Sequence, residues 1–161
     1  MIFNCTNNME KIISNKQEQL ILQFIYYFDN NNIKYQITGG LAGNLYGSLW
    51  HLHDIDFETS LSNLAIIEND FADYVTLKTS RYIDNEFNIW LLRLEINGIE
   101  IDINAVEDFY LNENIKIETN LENAIDKVFI GEKVKVQPLK DIINYKKILN
   151  RQNDLKDLLK L

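Results

Sequence analysis

Asp54-Ile55-Asp56-Phe57-Glu58 alternates acidic and apolar residues without a break, and Ile99-Glu100-Ile101-Asp102-Ile103-Asn104 does the same with Asn104 in place of a third acid. Successive side chains leave a β-strand on opposite faces, so a period of two predicts a strand at each stretch. Each strand sends a row of carboxylates to one face and a row of Ile or Phe to the other, where they join a core. If the two strands are neighbours, several carboxylates share one patch. Like charges directly opposite on adjacent strands cost a few tenths to about 1 kcal/mol per pair, and a partly buried cluster raises its own pKa values. A divalent cation reverses the sign of that interaction, and carboxylate oxygens completed by water and substrate phosphate are the ligands Mg²⁺ takes. The same pattern in an acidic chain also describes two amphipathic strands with a solvated face.

Outward from these stretches the chain divides into short elements. Ile33 to Ile37 reads as a strand that runs into Thr38-Gly39-Gly40 and then a short helix from Leu41 to Tyr46, stopped by Gly47. Before it, Leu20, Ile21, Phe24, Ile25 and Phe28 recur at helical spacing between Ser14 and Asn30, with Ser14 and Gln17 as a capping box and Asp29-Asn30-Asn31-Asn32 as the stop. Ser62 to Asp73 reads as a helix capped by Ser62, and Tyr74 to Tyr82 as a ragged strand. Phe87 to Ile96 and Ile99 to Val106 flank Asn97-Gly98, a pair that tolerates the positive φ of a type I′ hairpin turn. Ala124 to Ile130 and Lys133 to Gln137 read as a further pair around Gly131-Glu132. Pro138, the only proline, precedes two closing helices, Leu139 to Leu149 and Asn153 to Leu161. The order predicts an α+β fold, a small mixed or antiparallel sheet covered by helices with a helical C-terminal end. Residues 1–138 would form the catalytic domain with its N-terminal helix, and residues 139–161 a helical pair packed on it as one unit.

At 161 residues, with 46% hydrophobic and 25% charged, the composition is that of a globular domain and excludes a disordered or collagen-like chain. A net charge of −8 argues against a dedicated nucleic-acid module and against sequence-specific DNA binding, because such modules carry basic patches. One cysteine, Cys5, cannot form an internal disulfide and shows no sign of reactivity. No apolar run approaches the roughly 18 residues of a membrane helix, and the first residues lack the pattern of a secretory leader. The expectation is a cytoplasmic protein with no membrane partner.

Glycines at 39 and 40 let the backbone approach a ligand closely, and the N–H groups at a helix start favour an anion. The turn is neither GxGxxG nor a P-loop, and on its own it equally describes a tight structural turn. Followed by Asp-x-Asp, it sets an anion cradle beside a metal site. Thr38-Gly39-Gly40-Leu41-Ala42, Gly47, Asp54-Ile55-Asp56 and Asp102 within Ile101-Asp102-Ile103 together resemble the polymerase-β-type nucleotidyltransferase superfamily, above all its small minimal and antibiotic-modifying members. The tail, with Pro138-Leu139, Asp141-Ile142-Ile143, Lys146, Arg151, Asp154 and Asp157-Leu158, resembles the closing helices of those members.

The resemblance implies two-metal nucleotidyl transfer, with Asp54, Asp56 and Asp102 as catalytic residues and as ligands of two Mg²⁺ ions. It implies Thr38, Gly39 and Gly40 as the phosphate turn, with Lys146 reaching the triphosphate. The co-substrate would be ATP or another nucleoside triphosphate, and AMP would pass to an acceptor hydroxyl. The acceptor would be a small molecule such as an aminoglycoside or lincosamide, as in antibiotic resistance, or a partner protein or tRNA, as in toxin–antitoxin systems. Many members carry Arg four residues before the first Asp, where this chain has Trp50. That departure motivates the alternative of a catalytically silent, antitoxin-type binding module.

Other residues carry two readings each. His51 and His53 could contact phosphate or lie exposed in a loop, and without a third ligand they do not make a zinc site. Glu100 is a general base or a solvated neighbour of Asp102, and Glu58 lies farther from the glycine turn than the chemistry needs. Arg151 is expected to pair with Asp154 or Asp157. Trp50 or Trp90 could stack on a base, although Trp90 fits better as a buried strand residue.

Overall fold

The structure, a computed structural model, describes residues 11–161, so Cys5 lies outside the described residues. Helix α1 (Asn15–Asn30) begins as its sequence requires: Ser14 Oγ accepts the Gln17 N–H at 3.2 Å while Gln17 Oε1 accepts the Ser14 N–H at 2.8 Å. There follow β1 (Gln36–Ile37), α2 (Gly39–Leu45), β2 (Ile55–Thr59), α3 (Leu61–Asp70), β3 (Val75–Ile83), β4 (Phe87–Ile96) and β5 (Ile99–Ala105). The chain ends with β6 (Tyr110–Leu111), β7 (Ile115–Lys116), β8 (Ile125–Phe129), β9 (Glu132–Val136), α4 (Leu139–Ile148) and α5 (Gln152–Leu158). Among the described residues nine strands form one mixed sheet in the order β7-β6-β4-β5-β2-β1-β9-β8, with β3 also paired to β4. The β2–β5 and β1–β9 pairs are parallel and the others antiparallel. This is the expected α+β class.

Each strand divides its residues between two clusters. Ile55, Phe57, Leu92, Leu94, Ile101 and Ile103 enter the main core beneath α1 and α3, where Phe24 stacks on Phe71 at 4.8 Å and Phe28 meets Phe57 edge-on at 5.1 Å between ring centroids. On the other face Ile89, Leu91, Phe109 and Leu111 make a smaller cluster, onto which α4 and the turn after it pack Tyr145, Ile148 and Leu149. The gap left between the sheet and α4 is the cleft described below.

Four local expectations are corrected. Only Gln36–Ile37 of the first strand is paired, because Asn32 turns to φ +52° and the Ile33 N–H returns to the Phe28 carbonyl, completing the end of α1. Helix α3 ends at Asp70 and is capped by Ser60 rather than Ser62, since β2 ends at Thr59 and leaves Ser60 extended with its hydroxyl accepting the Asn63 N–H. The β8–β9 turn is Ile130-Gly131, with φ of +49° and +79°; a β-branched residue is disfavoured there, so its sequence points one position too late. Arg151 pairs with Glu86, and it is Lys146 that takes Asp154.

Candidate active site

Three polar rows cross the face of the sheet that looks toward α4. Parallel pairing of β2 with β5 sets Asp56 beside Asp102 and Glu58 beside Asn104. Antiparallel pairing of β4 with β5 adds Arg93 beside Asp102 and Glu95 beside Glu100, and β1 adds Gln36 opposite Glu58. Asp54, just before β2, brings its carboxylate to Glu100 and Asp102, where oxygens of the three lie within 4.8 Å of one another. Asp56 is not one of those three; it lies toward the glycine turn.

That turn abuts Asp56 directly. The Thr38 N–H bonds to the Asp56 carbonyl at 3.0 Å, and Gly39 takes φ +59°. A side chain at Gly39 would overlap the Asp56 carboxylate, with its Cβ 2.8 Å from Asp56 Cγ. Thr38 caps α2 without a side-chain hydrogen bond. Turn, carboxylates and α4 enclose a cleft of about 330 Å³ lined by Thr38, Gly39, Gly40, Asp54, Asp56, Asp102 and Lys146, so the seven residues that the resemblance implies for metal and phosphate border the same space, while Glu100 does not line it. Phe87, Ile89, Leu91, Phe109, Ile142 and Tyr145 add apolar wall to the same cleft, beside Asp84, Asn104 and Arg151.

Charge is unevenly settled within the cleft. Burial, then the charges of Asp54 and Asp102, push the Asp56 carboxyl up to about 8, against which Lys146 acts only weakly. Burial and Asp102 also raise Glu100, partly opposed by Arg93. Arg93 forks onto Asp102, Nε to Oδ1 at 2.7 Å and Nη2 to Oδ2 at 2.9 Å. Glu58 is buried; it accepts bonds from Gln36 Nε2 at 2.6 Å and Asn104 Nδ2 at 3.3 Å, which oppose the upward push of burial. Lys146 is 9% exposed, bound to Asp154 at 2.7 Å, with its Nζ 5.5 Å from the Trp50 ring centre.

The donor set fits a hard divalent cation. Asp54, Glu100 and Asp102 hold carboxylate oxygens at ligand spacing, and a cation bound there would offset the charges of these three that push the neighbouring Asp56 upward. Other residues fall away from the cleft. His51 and His53 are exposed and do not line it. Trp50 packs its ring against Gly43 and donates from Nε1 to Asp157 at 3.0 Å, tying α2 to α5. Trp90 is only partly buried and lies under the Arg81 guanidinium. Sequence reasoning missed Arg93, although the signal is present: a two-residue Asn97-Gly98 turn pairs Ile96 with Ile99, and counting back pairs Arg93 with Asp102. The Gln36–Glu58–Asn104 network was not legible, because it depends on three strands meeting.

No family model and no curated protein matches this chain. Solved structures do. A candidate nucleotidyltransferase from Thermotoga maritima superposes with a TM-score of 0.76 at 21% identity, over 95% of this chain and 96% of that one. ANT(2'')-Ia, in complex with adenylyl-2''-tobramycin, matches with a TM-score of 0.58 at 15% identity, over 90% of this chain and 88% of that one. Its solution structure, as an antibiotic-resistance factor, gives 0.59 at 17% identity over 90% and 83%. The chain has a nucleotidyltransferase-like fold.

Proposed function

We propose that this protein is a Mg²⁺-dependent nucleotidyltransferase that transfers a nucleoside monophosphate, AMP from ATP, to a hydroxyl of a small-molecule acceptor. One observation carries the reading: parallel pairing seats Asp56 beside Asp102 while the Gly39 backbone lies against the Asp56 carboxylate. An anion cradle and a cation site thereby share one wall. The resolved likeness to ANT(2'')-Ia, whose structure contains an adenylylated antibiotic, supports a small-molecule acceptor of the antibiotic class.

Each residue then has a task. Asp54 and Asp56 hold Mg²⁺, which when bound neutralises and orients the triphosphate. Asp102 is the third carboxylate of the set, and its partner is either a second ion or Arg93. Thr38, Gly39 and Gly40 bring backbone close to the phosphates. Lys146, fastened by Asp154, adds positive charge from α4. The acceptor hydroxyl attacks the α-phosphorus in line, pyrophosphate leaves, and the hydroxyl proton passes to Asp102 or Glu100. Positioning and charge neutralisation supply most of the rate.

Calorimetric titration with ATP and Mg²⁺ tests this, repeated on Asp54→Ala/Asp56→Ala. Metal-dependent binding that the double variant abolishes is expected, followed by label transfer from ATP to a panel of aminoglycoside and lincosamide acceptors. The second reading, a catalytically silent module, draws on the Asp102 carboxylate already satisfied by Arg93 and on Trp50 committed to Asp157. Absence of nucleotide binding at millimolar ATP would favour it. Among the described residues no helix is long and apolar enough to cross a membrane.

A further inference from the structure

Arg93 faces Asp102 across the β4–β5 hairpin, and both oxygens of that carboxylate receive its guanidinium. The Arg93 Nε also lies 3.3 Å from Glu100 Oε1. Bidentate pairs of this kind are strong and directional, and with the Asp102 side chain only 17% exposed, water screens this one weakly. A guanidinium cannot yield its charge by deprotonation. Asp54 and Asp56 differ: among the described residues neither is in an ion pair with a basic side chain.

The geometry points to Arg93 as a built-in replacement for one of the two cations that the nucleotidyl-transfer reading calls for, so that the site takes a single divalent ion. Asp54 and Asp56, which pair with no basic side chain among the described residues, would ligate that ion together with the triphosphate, the Asp54 carboxylate turning from Glu100 and Asp102 toward Asp56, and Asp102 keeps Arg93. Each Asp102 oxygen retains a lone pair beyond those used by the fork. Exclusion of a second ion therefore comes from charge: a dication at Asp102 would sit against a guanidinium held in register by two strands. Arg93 acts through Asp102 and is a positioning residue.

This inference rests on the nucleotide reading, and the test separates the two. Mn²⁺ is titrated into the full chain in the presence of a non-hydrolysable ATP analogue, with bound ions counted by electron paramagnetic resonance. One ion per chain is expected in the wild type, still one in Asp102→Asn, and two in Arg93→Gln. Two ions in the wild type, loss of the ion in Asp102→Asn, or a single ion in folded Arg93→Gln overturns the inference while leaving nucleotide binding intact. If melting curves show that Arg93→Gln does not fold, the wild type and Asp102→Asn decide the matter. A wild type that binds neither analogue nor Mn²⁺ overturns the nucleotide reading itself, and this inference with it.

Discussion

At Gly39 the backbone and the neighbouring carboxylate both forbid a side chain. The φ of +59° is left-handed, and a Cβ would sit 3.1 Å from Asp56 Cβ as well as against the carboxylate itself. Gly39→Ala is expected to cost roughly 1–2 kcal/mol through the backbone alone, measured by urea denaturation, and to turn Asp56 away so that Mg²⁺-dependent ATP binding is lost in calorimetry. Asp56 makes a separate prediction through its proton. Its carboxyl titrates at 3.8 in a free chain and at about 8 in the fold. Between those values the folded state holds more protons than the unfolded one, so the metal-free protein loses stability as pH rises from about 4 to about 8. Asp56→Asn removes that dependence: its melting temperature should exceed that of the wild type at pH 8, and the gap should close toward pH 4. The same proton must leave when Mg²⁺ binds, so binding enthalpy at pH 7 should vary with the ionisation enthalpy of the buffer in the wild type.

Elements whose signals are local were legible in the sequence. The capping box of α1 and the Asn97-Gly98 turn needed only neighbours in the chain, and the alternation of β2 and β5 showed which residues share a face. Elements defined by distant partners were not. Strands β6 and β7 have two residues each and exist because the loop after β5 folds back onto Phe87 and Asn88. The adjacency of β2 and β5 is likewise tertiary, so the carboxylates could be assigned to one face of each strand but not to one patch; Trp50 lost its reading as a base platform to an α5 partner 107 residues away. The hairpin that positions Arg93 can be weakened on its own. Gly98 has φ +76° and open space around the position of a Cβ. Gly98→Ala should therefore cost about 1 kcal/mol through backbone conformation without a clash. Urea midpoints should record that loss with an unchanged denaturant slope, the mark of a change in stability without a change in the surface exposed.

For the whole molecule, side-chain pairs hold the C-terminal helices together and fasten them to the rest of the chain. Lys146 of α4 reaches Asp154 of α5, while Asp157 accepts from Trp50 and Arg151 reaches Glu86 at 3.1 Å. The sheet face beneath them is crowded with carboxylates in a chain of net charge −8. Such a molecule carries self-repulsion at the point where α4 meets the sheet, and a ligand that brings both a cation and a polyanion satisfies both walls together. ATP alone adds negative charge to carboxylates, and Mg²⁺ alone leaves the glycine turn without an anion. Neither should stabilise the fold as the pair does. At a concentration a hundred times its dissociation constant, a ligand specific for the folded state adds about 2.7 kcal/mol. For a domain of this size that corresponds to a rise of roughly 5–10 °C in melting temperature. Differential scanning calorimetry should show that rise with ATP and Mg²⁺ together, a much smaller one with either alone, and none in Asp54→Ala/Asp56→Ala. A rise with Mg²⁺ alone as large as with the pair would mean that the carboxylate patch is a structural cation site, with the glycine turn playing no part in it.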